Sequence, residues 1–382
     1  MRWFIPFLVV GRLFAATTFL EPGGDADGGV ALWDSILTSP AAVTDFVHGS
    51  HIYSIKYRAA QDDEVRTAGK VVDAGGRWSF WAYFNVIPGG TATLAATTQS
   101  TIANNILRIR MTSTGQLQLW NNTVQIGSSG STLTTGTWYR LCLTWNITST
   151  SVNTINLYLN GTSNIAITNA SLTYATSNMT RLGNISTSNQ LDMRTSDHYI
   201  DNNSGGADPG NIWVTAKRPF SNGTTNGFTT QIGSGGSGYG SGHSPQVNER
   251  PLSTTNGWSM IGAGSAITEE YSIEGKSTGD IDISAGTIVD FVGWVSAKSL
   301  AGETASIIVA GNTSNISLTS TITIFIKVAG SSTYPAGLTD IGIITTTALT
   351  TVSLYEAGIM VAYTPGVSSC IPSLASLGAG TC

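Results

Sequence analysis

The chain has 382 residues and a net charge of −5, and only 11% of its residues are charged, against about 25% in an ordinary soluble domain. That length leaves room for two domains, and the acidic balance, with no dense run of Lys or Arg, argues against nucleic-acid binding. A hydrophobic share of 41% is ample for packed cores and argues against global disorder. Thr, Val, Ile and aromatic residues dominate the patterned stretches, so an all-β protein is expected.

The N-terminal run MRWFIPFLVVGRLFAATTFLE admits two readings. Arg2 followed by apolar Trp3 to Val10 resembles a short signal peptide. Arg12, Pro6 and the lack of an A-x-A site favour instead a buried first strand, or an arm that docks on a neighbouring subunit. The run is far too short to span a membrane. Residues 21–43 are rich in Gly, Asp and Ala, so residues 1–43 are read as an arm or linker.

Strand signals begin at His51–Tyr57 and continue at RWSFWAYFNVI (77–87), where both faces are apolar or aromatic. Such a strand is central, or covered by another domain. A meander of short strands follows: ILRIRM (106–111), QLQLW (116–120) after a turn at Thr114-Gly115, and TVQIG after a turn at Asn121-Asn122. GTWYRLCLTWN then places Tyr139, Leu141, Leu143 and Trp145 on one face and Trp138, Arg140, Cys142 and Thr144 on the other. In INLYLNG, Ile155, Leu157 and Leu159 share a face, and Asn160-Gly161 supplies the positive φ angles of a tight hairpin.

The pattern runs out near Asn184–Ser188, and residues 189–212 gather Asp192, Asp197, Asp201 and Asp208. Beyond a strand at Asn211–Ala216, the Gly/Ser-rich stretch at 233–243 reads as a mobile surface loop. EEYSIEG, TIVDFVGWVSAKSL (287–300), TASIIVAG (304–311), ISLTSTITIFIKVAG (316–330) and TTVSLYEAGIMVAYTP (350–365) suffice for a second sandwich. The expected organisation is an arm at 1–43, one β-sandwich at 44–205, a second at 206–366 and a tail at 367–382. Cys142 is a packed core-strand thiol. Cys370 and Cys382 close a loop in an oxidising environment and are free thiols otherwise.

The motifs GRWSFWAYF, GTWYRLCLTWN, INLYLNG and HYIDN resemble the laminin G-like, concanavalin A-like jelly rolls over roughly residues 44–205. HYIDNNSGGADPGNIWVTAKRPFSNGTTNGF, NERPLSTTNGWSM and EEYSIEG resemble a region of tailed-bacteriophage virion proteins in which such a domain passes into a second β-domain. Together the resemblances imply two jelly-roll sandwiches in a virion structural protein: a capsid decoration, head-fibre or tail-fibre component. Its partners would be other virion proteins, sister subunits (commonly a trimer) and host surface glycans. The alternative is a secreted or cell-surface carbohydrate-binding module, and behind it a glycan hydrolase.

Asp197, Asp201 and Asp208 are candidate oxygen ligands for Ca²⁺, although their spacing matches no calcium loop and Asp also favours turns. Trp78, Trp81, Tyr83, Trp138 and Trp145 lie inside strand patterns and are expected to pack cores. Loop aromatics such as Trp120 and Tyr239 are the candidate glycan contacts. Catalysis is not expected. No E-x-D-x-E strand motif aligns a carboxylate pair, the four histidines show no paired metal spacing, and GSGYG at 236–240 lacks the central serine of a nucleophile elbow.

Overall fold

The computed structural model describes residues 17–22, 33, 35–37, 40–49, 51, 54–58, 63–68, 75–99, 105–173, 179–183, 185, 191–202, 206–233, 243–247, 255–260, 266–278, 282–300, 302–328, 340–345 and 351–366. The run up to Ala16, most of the Gly/Ser-rich stretch, and the tail with Cys370 and Cys382 lie outside the described residues. The first sandwich begins with Thr17–Glu21 (β1), Ser35–Leu37 (β2), Ala41–Val43 (β3), Ser54–Tyr57 (β4), Glu64–Ala68 (β5), Gly75–Val86 (β6), Ala92–Thr98 (β7) and Asn105–Met111 (β8). It continues through Leu117–Asn121 (β9), Val124–Ile126 (β10), Trp138–Ile147 (β11), Asn153–Leu159 (β12), Thr162–Thr168 (β13), Met179–Gly183 (β14) and Asp192–Asp201 (β15).

The second sandwich begins with Trp213–Lys217 (β16), Pro219–Asn226 (β17), Thr230–Ile232 (β18), Gly257–Met260 (β19) and Thr268–Ile273 (β20). Its remaining strands are Thr287–Ser299 (β21), Thr304–Val309 (β22), Asn312–Ser317 (β23), Thr323–Val328 (β24), Asp340–Thr345 (β25) and Val352–Thr364 (β26). Among the described residues no helix is long and apolar enough to cross a membrane.

Every pairing among the described residues is antiparallel, and the strands form four sheets. The first outer sheet runs β10-β9-β8-β7-β14-β5-β2, and the first inner sheet runs β13-β12-β11-β6-β15-β4-β3 with β1 also on β15. The second inner sheet runs β18-β19-β26-β21-β24 with β16 on β26, and the second outer sheet runs β17-β20-β25-β22-β23. Trp78, Phe80, Ile109, Leu119, Leu143, Trp145 and Leu157 fill the first core, whereas Phe291, Val295, Ile307, Ile343 and Ile359 fill the second. A third apolar core joins the two inner sheets through Leu20, Tyr199, Ile212, Val214, Val292, Trp294 and Met360. The four sheets therefore stack as outer, inner, inner, outer. This explains why β21 and β26 are apolar on both faces: each strand lies between two cores.

The segment read as an arm or linker proves to be structural from Thr17 onward. Strands β1, β2 and β3 belong to the first sandwich. Phe19 points into the first core and Leu20 into the seam, both at 0% exposure. With both faces buried, β1 shows no polar alternation to read, and β2 and β3 are only three residues long. Of the acids gathered in 189–212, Asp192, Asp197 and Asp201 lie on β15, a central strand between β6 and β4. The run 316–330 splits, since β23 ends at Ser317 on the outer sheet and β24 starts at Thr323 on the inner one.

The hairpin β12–β13 turns on Asn160 at φ 49° and Gly161 at φ 88°. Its Asn160 side chain also accepts from the Arg140 amide at 2.8 Å, which fixes β11 against the turn.

Candidate functional site

The three candidate calcium ligands stand in three different settings. Asp201 accepts from the Arg77 guanidinium and from the Tyr199 hydroxyl at 2.8 Å. Asp208 is clasped by Arg140 at 2.6 and 2.5 Å. Asp201 and Asp208 each have an arginine for a cation, so the structure does not bring the trio together as a calcium site. The Arg140–Asp208 clasp, with Arg77 Nη1 donating to the Ala207 carbonyl at 3.1 Å, ties the first sandwich to the chain entering the second.

Asp197 is different. The β6–β15 pairing breaks between Ser196 and Tyr199, and Asp197 sits in that bulge at φ 54°, in the left-handed region that costs a non-glycine residue energy. The bulge turns its carboxylate toward the segment after β3. There His48 Nδ1 lies 2.7 Å from one carboxylate oxygen and His51 Nε2 lies 2.8 Å from the other. The Val214 amide of β16 donates to the same carboxylate at 2.6 Å. Burial alone would raise the Asp197 carboxyl, but the facing His51 and His48 imidazoles outweigh it and hold the group well below the usual carboxylate range. Burial pushes the His48 imidazole below its ordinary value, against the pull of Asp197. The arrangement is an ionised carboxylate facing a His48 biased toward its neutral form.

An aromatic shell surrounds this cluster. Trp81, Trp138 and Trp213 lie 4.1, 5.2 and 4.9 Å from the His48 ring. Gly49, at φ 56°, lets the chain pass Trp213: a Cβ there would meet its ring at 2.5 Å. Trp78 and Trp145 do pack the first core. Trp81, Tyr83 and Trp138 instead face the opposite side of the inner sheet, where the exposed Phe46 ring stacks on Tyr83 at 4.7 Å.

The other candidate surface lies on the far side of the first outer sheet. Trp120 is no loop aromatic, for it belongs to β9, and Tyr239 lies outside the described residues. Strand register places one cross-strand row over this face, from Arg66 through Arg181, Ala96 and Arg108 to Trp120 and Gln125. Arg110 stands beside it, paired with Gln118, and lays its guanidinium 4.3 Å from the Trp120 ring centroid. Four arginines thus share a face to which its seven strands contribute a single carboxylate, Glu64. Glu64 accepts from Arg181 at 2.7 and 2.6 Å and from Arg66. Among the described residues the buried Nε atoms of Arg108 and Arg110 have no hydrogen-bond partner. Burial lowers both guanidinium pKa values, and for Arg108 the neighbouring Arg110 and Arg181 charges add to it. A half-buried indole next to under-paired guanidinium groups suits a ring with apolar C–H faces and an anionic substituent.

The fold is that of a two-sandwich, all-β protein whose first half is a jelly roll. Residues 59–196 match the family model described as the concanavalin A-like lectin/glucanases superfamily, so the first sandwich carries a concanavalin A-like domain. No curated protein matches the chain. Among solved structures, an endo-β-1,4-glucuronan lyase from the fungus Trichoderma reesei aligns at 10% identity and TM-score 0.39, over 49% of this chain and 95% of that one. A Trypanosoma rangeli sialidase aligns at 8% identity and TM-score 0.34, over 47% of this chain and only 30% of the sialidase. A conserved carbohydrate esterase of the Shiga toxin-encoding bacteriophage phi24B aligns at 12% identity and TM-score 0.38, over 50% of this chain and all of the esterase, at 100%.

Proposed function

We propose that this protein is a non-catalytic structural component of a tailed-phage particle that displays a glycan-binding face. The observation that carries the reading is the seam. Two sandwiches joined by a third apolar core, the Arg140–Asp208 clasp and the Asp197–Val214 bond make one rigid unit with an outer sheet at each end. Such a unit holds a recognition face at a fixed distance and angle from its attachment point. Two carboxylates beside the seam, Asp201 and Asp208, are neutralised by arginine, which suits scaffolding better than acid–base chemistry. Mass spectrometry of purified particles tests the assignment. The chain is expected as a stoichiometric particle protein, and its recovery only as a free monomer in the culture medium would sink the virion role.

A secreted carbohydrate-binding module is the second reading, and the Trp120 face favours it. In both readings the ligand is an acidic saccharide, with Trp120 as the stacking platform and Arg108 and Arg110 as anion donors. Calorimetric titration with an oligoglucuronate is expected to show binding that weakens as salt rises, with no binding to a neutral glucan of equal length. Trp120→Ala is expected to lose about 1–3 kcal/mol of that affinity, as stacked rings do, and Arg108→Gln about tenfold, with little change in melting temperature. Equal affinity for the neutral glucan would rule out the arginines as the specificity element.

A further inference from the structure

We propose that His48 Nδ1, His51 Nε2 and a carboxylate oxygen of Asp197 bind a divalent transition-metal ion of the zinc class at the seam between the two sandwiches. Three other buried carboxylates of the first half, Asp63, Glu64 and Asp201, each meet an arginine, as does the nearly buried Asp208, while buried Glu21 lies 3.9 Å from His198. Asp197 is equally buried, at 0% side-chain exposure, yet its partners are two imidazoles and one backbone amide. A carboxylate taken fully out of water calls for a countercharge, and among the described residues no arginine or lysine pairs with this one.

The donor set selects the ion. Imidazole nitrogen with carboxylate oxygen suits zinc, cobalt, nickel or copper, whereas calcium takes six to eight oxygens, a shell that two imidazoles and one carboxylate do not make. Asp197 therefore survives from the calcium expectation, with a different metal and different partners. The three ligand atoms all lie within 4.8 Å of one another, and the two histidine–carboxylate separations are 2.7 and 2.8 Å. The two short contacts are made to different carboxylate oxygens. A tetrahedral zinc site with bonds of about 2.0–2.1 Å has ligand–ligand edges of about 3.3 Å. Entry of the ion therefore opens those contacts by roughly half an ångström and draws in the widest separation by up to about 1.5 Å. The bulge aims the Asp197 carboxylate at the two histidines, and the partly buried Trp81, Trp138 and Trp213 rings flank His48, which limits the water that screens metal–ligand attraction. Because the Val214 amide holds the same carboxylate, the ion would brace β16 against β15 and act as a staple across the seam.

The test uses the full chain, purified through a tag without histidine. Elemental analysis is expected to find about one zinc ion per chain. Chelation should lower the melting temperature and zinc should restore it, while calcium should not. Cobalt added to the chelated chain should give the visible absorption of a tetrahedral N/O site. His51→Gln and Asp197→Asn should abolish that absorption. His243→Gln should keep it, although His243 also meets a carboxylate, Glu269 at 2.7 Å. Should the two variants fail to fold, the native titration decides alone. A native chain that takes up neither zinc nor cobalt and melts unchanged in chelator would overturn the proposal and leave the trio as a hydrogen-bonded clasp.

Discussion

Glu64→Ala is expected to destabilise the first sandwich by about 3–5 kcal/mol, the cost of stripping one partner from a buried ion pair. Glu64 has no side-chain exposure, and Arg181 only 9%. The two arginines that Glu64 bridges face each other directly across β5 and β14, where like charges repel. With Glu64 gone, Arg66 can turn its partly exposed head toward water, because 16% of its side chain is accessible. Arg181 has less room to do so, and a buried guanidinium stripped of its carboxylate is the larger part of the loss. The double variant Glu64→Leu with Arg181→Met should recover most of the stability, since apolar replacement of a whole buried pair is near neutral or better. Thermal melts should show the single variant lowered by roughly 6–20 °C. A single variant that melts within a degree or two of the native chain would mean that water reaches Arg181 and that the pair is not a buried one.

The same face shows where sequence reasoning stops. Alternation in ILRIRM and QLQLW sets Arg108, Arg110, Gln118 and Trp120 opposite their apolar neighbours, so a shared parity was legible even though Trp120 was expected in a loop. Their meeting was not, because it depends on the order β9-β8-β7-β14-β5, which brings Arg66 and Arg181 into one row from distant parts of the chain. The hairpin at Asn160-Gly161 was legible because turn chemistry is local. Trp145 followed from its parity with Leu141 and Leu143. Trp81, Tyr83 and Trp138, expected to pack a core like Trp78, instead face the other side of the inner sheet, because a strand apolar on both faces does not say which face meets which core. The His48–His51–Asp197 cluster had no such signal. Two histidines three apart after a short edge strand match no metal formula. The carboxylate that joins them stands 146 residues beyond His51 and turns toward them only because β15 bulges. β1 failed for the opposite reason: Phe19 and Leu20 serve two different cores, so the strand carries no contrast between its faces.

Trp294→Ala should cost about 3–5 kcal/mol as a large-to-small change in a packed site, but its distinctive effect is on cooperativity. Trp294 is 1% exposed and lies in the core shared by the sandwiches, among Leu20, Tyr199, Val214 and Met360. It pairs with Gly358 across β21 and β26, and a Cβ at Gly358 would stand 2.7 Å from its Nε1. The ring therefore fills space that a glycine was needed to open. The native chain is expected to unfold in one calorimetric transition, because a continuous apolar seam makes loss of either sandwich expose the face of the other. In Trp294→Ala the coupling falls below the difference in stability between the halves, and two transitions should separate. Trp145→Ala supplies the control. It removes a ring of the same size, also 1% exposed, from the interior of the first sandwich. It should lower the melting temperature by a similar amount while keeping a single transition, since the seam is untouched. If both variants melt in one transition, the seam core is not what joins the halves, and the polar clasps at Asp208 and Asp197 must carry the coupling instead.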